Sequence, residues 1–438
     1  MSKPPSDARP APRSLASAGR VAAAEVLLAV EEGAHAEDEL ARRAPLAPAD
    51  RGLAWFLVMG VLRRRASIDG ALRPYLSAPL GGLDPQIRAC LRLGAFELLH
   101  ARTATHAAVS QGVELARALG AGRGSGLVNA VLRRVADRAA ASAPTDVLSA
   151  LLDPSVTPER QLTRPEILEL PSWLASRWDA RYGPAATEAY CRACQEAAPT
   201  FLVARDPAAA ADQVATGVEL GATDIPGVWR LPEHAGAIPT LPGFADGRWW
   251  VQDPAAVRVA DRIGAKPGMR VLDACAAPGG KALRMASQGA TVVAVDRNTD
   301  RLSRVAESAR RLNLPIRTVA HDWTAGPLAG HERFDAVLVD APCTGLGTIR
   351  RHPEIKWRRV EPDLLEVAQL QAVILGRAAE MVAPGGTLVY AVCSPEPEEG
   401  QAHVERFSAA HPNLRLDRVW PPELGTEEDA HWSARWLA

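Results

Sequence analysis

The stretch Met269-Arg-Val-Leu-Asp-Ala-Cys-Ala-Ala-Pro-Gly-Gly-Lys281 changes character twice: a short apolar run closes on Asp273 and Ala274, and a Pro-Gly-Gly turn follows. Ala282-Leu-Arg-Met-Ala286 then resumes with helical spacing. That order predicts a strand, a tight loop and a helix. Gly279 and Gly280 carry no Cβ, so the backbone can come close to a ligand, and the helix start offers unpaired N–H groups. Such a loop either holds a nucleotide or closes a purely structural turn. The chain has no G-x-G-x-x-G here, and Lys281 is not preceded by the G-x-x-x-x-G of a P-loop. A dinucleotide and a nucleoside triphosphate are therefore disfavoured.

Working outward, 438 residues exceed what one core holds and suit about three domains. With 47% apolar and 23% charged residues the composition is that of a globular protein. No apolar run approaches the ~18 residues of a membrane span and no signal segment opens the chain, so no membrane association and a cytoplasmic location are expected. The six cysteines are scattered, which argues against a disulfide framework and leaves thiols free. Cys191 and Cys194 form a single C-x-x-C with no second pair, and no metal site is expected. The net charge of −1 does not announce a nucleic-acid binder. Positive charge is nearly all arginine, grouped at Arg63-Arg64-Arg65, Arg133-Arg134, Arg350-Arg351 and Arg358-Arg359. Paired guanidinium groups suit phosphate, or simply line a solvated helix face.

In chain order, residues 1–14 read as a disordered tail and residues 15–140 as an all-α domain of six or seven helices. Residues 141–165, with four prolines, read as a linker with a helix at 146–152. Residues 166–250 read as a small α/β module with helices at 171–181, 185–196 and 208–220 and a strand at 200–204. It ends in Gly247-Arg-Trp-Trp-Val-Gln-Asp253, where Trp249 and Trp250 either stack on a base or fill a core. From 251 to 438 strand and helix signals alternate, as in a doubly wound parallel sheet. Strands are expected at 269–274, 291–295, 316–320, 334–339 and 387–392.

Ligands of such sheets bind beyond the carboxyl ends of the strands, which here carry Asp296, Asp322 and Asp340. Asp296, ending the second strand, suits the two hydroxyls of a ribose, and Asp322 suits an adenine edge. A Gly-rich loop without a phosphate signature then fits the methionine part of S-adenosylmethionine. Cys343 and Cys393 each follow a strand end on the same side, so both thiols should enter the crevice. A thiolate beside a methyl donor has a use: its addition to carbon 6 of cytosine makes carbon 5 nucleophilic. A second group must then take the carbon 5 proton, and Asp340 could bond the N3/N4 edge of the base. Which cysteine adds and which releases stays open at this level.

Gly126-Leu-Val-Asn-Ala-Val-Leu-Arg-Arg134, with Asp50-Arg51 and Gly60-Val-Leu-Arg-Arg-Arg65, resembles the RNA-binding NusB fold family. Cys275-Ala-Ala-Pro-Gly-Gly-Lys281, Asp340-Ala-Pro-Cys343, Arg350-Arg-His-Pro-Glu-Ile-Lys-Trp357 and Tyr390-Ala-Val-Cys-Ser394 with Glu398-Glu399 resemble the RNA (cytosine-5) methyltransferases. Together they look like the RsmB/Sun (Fmu) branch, which modifies small-subunit ribosomal RNA. The resemblance implies a NusB-like helical domain, a small α/β RNA-binding module and a Rossmann-like methyltransferase domain. It also implies cofactor contacts from Ala274, Cys275, Ala276, Ala277, Pro278, Gly279, Gly280, Lys281, Asp296, Asp322 and Asp340. Cys393 matches the nucleophile, Cys343 the releasing cysteine and Asp340 a catalytic partner. Small-subunit ribosomal RNA is the implied partner and a monomer the implied state. The chain departs from the pattern after Cys343, at Pro395, and at Asp429-Ala-His-Trp-Ser-Ala434, where the family usually has Asp-Gly-Phe-Phe. The competing readings are the same chemistry on transfer RNA, a non-catalytic RNA-binding assembly factor, and a nicotinamide-dependent dehydrogenase.

Overall fold

A computed structural model describes residues 16–43, 46–101, 103–141, 161–233, 235–328, 330 and 333–438. The expected tail and most of the expected linker, with its helix at 146–152, lie outside the described residues. Two compact units divide the chain: Met1–Gln195 with His352–Arg358, and Glu196–Arg351 with Arg359–Ala438. The module expected over 166–250 does not form a unit. Its helical half belongs to the first unit and its strands to the second.

The first unit contains α1 (Ala18–Glu31), α2 (Ala36–Arg42), α3 (Pro48–Arg63), α4 (Arg65–Leu72), α5 (Pro85–His100), α6 (Thr105–Ala118) and α7 (Ser125–Ala141). Three shorter helices follow, α8 (Arg164–Leu168), α9 (Ser172–Tyr182) and α10 (Pro184–Cys194). Ser17 caps α1 and Asp84 caps α5 through side-chain oxygens, satisfying N–H groups that each helix leaves unpaired. One apolar core joins Val26, Leu57, Val61, Leu91, Phe96 and Leu132. Gly60 lies against the Phe96 ring so closely that a Cβ there would collide with it, which makes glycine the residue that lets α3 and α5 approach. Cys191 and Cys194 are buried in α10. Among the described residues no cluster of three or more His, Cys, Asp or Glu could hold a metal, and no helix is long and apolar enough to cross a membrane.

His352–Arg358 is built into this unit by side chains. The Trp357 indole N–H donates to Leu62 O at 2.7 Å, and Arg65 lies over its ring at 5.5 Å. Lys356, 2% exposed, donates to Arg63 O at 3.1 Å. Glu169, 1% exposed, accepts from the Ala66 and Ser67 N–H groups at the start of α4. Several of the arginines expected at phosphates are thus occupied within the protein: Arg64 bonds Gln195 and Arg358 bonds Ala34 O, while Arg133 and Arg134 remain exposed.

The second unit holds two sheets. The smaller is antiparallel, β2-β3-β1-β4, from β1 (Phe201–Ala204), β2 (Gly221–Ala222), β3 (Val228–Arg230) and β4 (Trp249–Val251). Only Ala211–Val214 (α11) of the helix expected over 208–220 forms, because Ala215 leaves the helical conformation and Gly217 takes φ +78°. Trp249 is fully buried and donates to Pro242 O, and Trp250 is 4% exposed and donates to Gln252. Both are core residues, so neither stacks on a base.

The larger sheet is built from β5 (Arg270–Asp273), β6 (Thr291–Asp296), β7 (Ile316–Ala320), β8 (Phe334–Asp340), β9 (Val382–Val392), β10 (Arg415–Trp420) and β11 (Trp432–Leu437). Its order is β10-β11-β9-β8-β5-β6-β7, with β5 to β9 parallel and β11 antiparallel to both neighbours. Ala336 to Val339 are fully buried, as suits a parallel strand covered on both faces. The covering helices are α12 (Pro254–Asp261), α13 (Gly280–Ser287), α14 (Thr299–Leu312), α16 (Asp363–Ala379) and α17 (Gln401–Ala410); α15 (Ile355–Arg358) belongs to the first unit. The sequence reading located β5 to β9 and missed the antiparallel pair β10 and β11. Strand order reverses between β5 and β8, and there the loops after the two strands diverge and open a crevice.

Burial in the first unit pushes the Glu169 carboxyl up to about 7, opposed by the Lys356 charge and by its bonds to α4. A carboxyl raised on folding favours the folded state at low pH and loses that contribution as pH climbs through about 7. Glu169→Gln should therefore gain stability relative to the parent as pH rises from 5 to 8, by at most about 1.4 kcal/mol per pH unit. Denaturant midpoints measured across that range check it; a difference that shrinks with pH would contradict the sign.

Candidate active site

After β5 the backbone turns over the ends of its neighbours: Ala274 N–H donates to Leu338 O and Ala276 N–H to Val295 O, both at 2.8 Å. The Pro278-Gly279-Gly280 turn then launches α13. Gly279 has φ +115°, which a residue with a side chain rarely adopts, and a Cβ on Gly280 would lie 2.9 Å from the Gln252 side chain. No side chain caps α13, so its first N–H groups have no capping acceptor.

Three strand-end carboxylates surround this turn. Asp296, ending β6, accepts from Ala277 N at 3.1 Å and Asn298 N at 2.8 Å, one bond per oxygen. Each oxygen keeps a lone pair for a further donor. Asp322, two residues beyond β7, accepts from the Thr324 N–H and hydroxyl through one oxygen, and these bonds hold it below the usual carboxylate range. The His321 N–H donates to Asp296 O and ties the two loops together. Asp340, ending β8, binds the Lys281 ammonium at 2.7 Å. Burial would lower the Lys281 pKa, but Asp340 and the other acidic groups around it raise it, so the ammonium stays charged. Burial pushes the Cys275 thiol well up, and it is no candidate for a thiolate.

The sequence reading gave no role to Asp273. It ends β5, is 1% exposed, and neither carboxylate oxygen has a hydrogen-bond partner of good geometry. Burial, then the Asp340 charge, push it up to about 7, against Lys281 and the Cys275 amide. Two orphaned buried carboxylate oxygens suit a ligand's ammonium group. The strand-end rule that selected Asp296 and Asp340 would have selected Asp273 too, since it occupies the same place on β5.

Cys343 and Cys393 meet with Sγ atoms 3.1 Å apart, and both are free thiols. The contact with Cys393 and burial push the Cys343 thiol well above its ordinary range, and the Cys393, Glu399 and Asp340 charges add to this. Either thiol can donate in that contact, and burial beside these acidic groups favours a protonated Cys343. Arg359 donates to the Thr344 and Cys343 carbonyls at 2.9 and 3.1 Å, pinning one cysteine's loop. Gly347 N–H donates to Cys393 O while Gly347 O accepts from Ala430 N; a Cβ on Gly347 would collide with the Ala430 carbonyl.

The rear of the crevice is charged. Arg351, expected among phosphate-binding arginines, pairs with Asp253 at 2.5 Å and Asp429 at 3.2 Å and donates to Pro199 O. Asp429 is pushed up to about 7 by burial and the Asp253 charge. His431 is pushed down to about 4 by burial and Lys281, against Asp340 and Asp253, and so is neutral at pH 7. Its place in the crevice gives the departure at residues 429–434 a direct bearing on the shape of the site.

Two family models match the chain. Residues 17–137 match the NusB family and residues 263–431 match 16S rRNA methyltransferase RsmB/F. Ribosomal RNA small subunit methyltransferase B of Thermus thermophilus is 38% identical over 408 residues, covering 92% of this chain and 90% of that protein. The same-named protein of Xanthomonas campestris is 36% identical over 404 residues, covering 89% and 87%. The solved structure of PH0851 aligns with a TM-score of 0.78 at 22% identity, over 98% of this chain and 100% of that one, a likeness of fold alone. With identities above one third along nearly the full length of both chains, this protein belongs to the ribosomal RNA small subunit methyltransferase B family.

Proposed function

We propose that this protein methylates carbon 5 of a cytosine in small-subunit ribosomal RNA, with S-adenosylmethionine as donor and a covalent cysteine adduct on the path. The observation that carries this reading is the thiol pair, 3.1 Å apart, at the strand ends that flank the Lys281–Asp340 ion pair. A methyltransferase acting on a nitrogen or a hydroxyl has no use for two thiols, because its acceptor already owns a lone pair. The residues present fit the cofactor: the orphaned Asp273 oxygens suit its ammonium group, Asp296 the ribose hydroxyls, Asp322 the adenine edge, and residues 274–281 the close approach. S-adenosylmethionine supplies a methyl group activated on a sulfonium.

The two thiols are not equivalent. Cys343 is held protonated by burial and by the charges around it, and the Lys281 ammonium lies in the field of the Cys393 sulfur. By the family resemblance of the Tyr390–Ser394 motif, Cys393 is the sulfur that adds to carbon 6. The S–C6 bond forms, the C5=C6 pair moves to carbon 5, and carbon 5 takes the methyl group. Asp340 is an acceptor in reach of the cytosine amino edge. Once the Cys393 sulfur is alkylated, the largest cause that kept Cys343 protonated is gone. Cys343 can then release its proton to solvent and, as thiolate, take the proton from carbon 5; the electron pair restores C5=C6 and expels Cys393.

Two outcomes test this reading. Asp296→Ala removes two hydrogen bonds to a charged acceptor, each worth about 1.5–3 kcal/mol, and should weaken S-adenosylmethionine binding about a hundredfold or more by calorimetry. Cys393→Ala should form no adduct with small-subunit ribosomal RNA. Cys343→Ala should instead accumulate a protein–RNA species that survives denaturing gels and carries label from a methyl-labelled cofactor. Reversed behaviour would exchange the two roles, and absence of 5-methylcytosine in the product of the parent protein would remove the reading altogether.

A further inference from the structure

We propose that Glu399 is the positioning residue that sets the spacing of the two thiols, acting through the residue that follows each cysteine. The proposal rests on the cytosine reading above for its role in turnover, though not for its geometry. Glu399 is fully buried, just past the loop that follows Cys393. One carboxylate oxygen accepts from the Thr344 hydroxyl and the Ser394 hydroxyl, both at 2.5 Å. The other accepts from the Thr344 N–H at 2.8 Å and the Gln371 amide at 3.0 Å. Thr344 follows Cys343 and Ser394 follows Cys393, so a single side chain grips both cysteine loops from behind.

The grip is itself held. The Gln371 amide also donates to Pro342 O at 2.9 Å, one residue before Cys343. The Tyr390 hydroxyl lies 2.9 Å from the Gln371 carbonyl oxygen and 2.8 Å from Glu399 O. Thr344, Ser394, Gln371 and Tyr390 are all fully buried, so water cannot replace any of these bonds. Among the described residues Glu399 forms no ion pair with Lys or Arg. A buried carboxylate without a cation persists only where donors fill its lone pairs, and four donors do so here. Four donors require an acceptor at every position, which a carboxylate supplies and an amide supplies at one oxygen only. A hydrophobic residue would fill the space as well, yet it would leave four donors without this acceptor and only the 3.2 Å contact between the Thr344 and Ser394 hydroxyls tying residue 344 to residue 394.

The demand for such a brace comes from the reaction. Each sulfur must reach a different atom of one base, carbon 6 for one and the carbon 5 proton for the other, and an error of about 1 Å costs on the order of a hundredfold in rate. Cys343 and Cys393 lie on different loops, whose backbones are joined by the Ala341 N–H to Ala391 O and Gly347 N–H to Cys393 O bonds. Glu399 adds a side-chain cross-tie at the residue after each cysteine.

The test uses the full chain with Glu399→Ala and Glu399→Gln, read by S-adenosylmethionine affinity, RNA affinity, single-turnover methyl transfer and adduct lifetime. Glu399→Ala should leave both affinities within about twofold, slow transfer about 30- to 100-fold, and leave residual product trapped as adduct. Glu399→Gln should recover part of the rate, since its carbonyl can face the two N–H donors while the two hydroxyls turn to accept from its amide. Unchanged turnover in Glu399→Ala overturns the proposal, and so does loss of cofactor affinity in the same proportion as rate. If Glu399→Ala does not fold, Thr344→Val and Ser394→Ala each remove one arm, and parent-like turnover in both overturns it equally. A second readout needs no substrate: a diazenedicarboxamide oxidant takes two hydrogens from adjacent thiols and leaves a disulfide. Glu399→Ala should slow that oxidation about tenfold relative to the parent. Slower oxidation in a protein that methylates no cytosine would sink the cytosine reading and keep the brace; equal oxidation rates sink the brace.

Discussion

The Lys281 ammonium against Asp340 is the interaction on which the crevice depends. Strand order reverses between β5 and β8, so the acidic ends of those two strands come together, and burial with the Asp340 charge pushes the Asp273 carboxyl up to about 7. A lysine at the second position of α13 resolves the conflict by pairing with one carboxylate at 2.7 Å and leaving the other, Asp273, in need of a cation. The Pro-Gly-Gly turn matters for the same reason, because it sets where α13, and with it Lys281, begins.

The two thiols are specialised by their surroundings. They share one contact, and burial together with the Cys393, Glu399 and Asp340 charges favours a protonated Cys343. In the proposed reaction the first covalent step would alter that balance, since an alkylated sulfur carries no charge. The order of events on the proposed path would then follow from electrostatics. The helical unit has a parallel feature, where the buried Glu169 and Lys356 each temper the other's burial across a helix start.

Much of the catalytic sheet was legible because parallel strands buried on both faces read as apolar runs, and each of these runs ends in a polar residue that cannot be buried casually. Asp296, Asp322, Asp340 and both cysteines follow from that single rule. Asp273 obeys it as well, but it stands inside a motif whose glycines attract the eye. Glu399 was visible only as part of a motif, since its partners Thr344, Ser394 and Gln371 are spread along the chain and meet only in the fold. Trp249 and Trp250 looked equally suited to a base or a core, because adjacent aromatics on a strand point to opposite faces and both faces of β4 turn out to be covered. The arginine clusters misled for a related reason: sequence gives charge but not the carbonyls and carboxylates that occupy Arg64, Arg351 and Arg358. The antiparallel pair β10 and β11 interleaves apolar residues with Arg415, Asp417, Arg418 and Arg435, a weak signal beside the apolar runs.

His352–Arg358 belongs to the helical unit although it is encoded deep in the catalytic half. The polypeptide therefore crosses between the two units three times, after Gln195, after Arg351 and after Arg358. During synthesis the helical unit emerges first, with a bare slot where Trp357 and Lys356 will lie and with Glu169 lacking its nearby cation. It reaches its final packing only when the ribosome has made the first four strands of the catalytic sheet. The maturation of the helical unit is thus timed by translation of the catalytic half, and an aborted chain ending before residue 352 carries a helical unit with an open core.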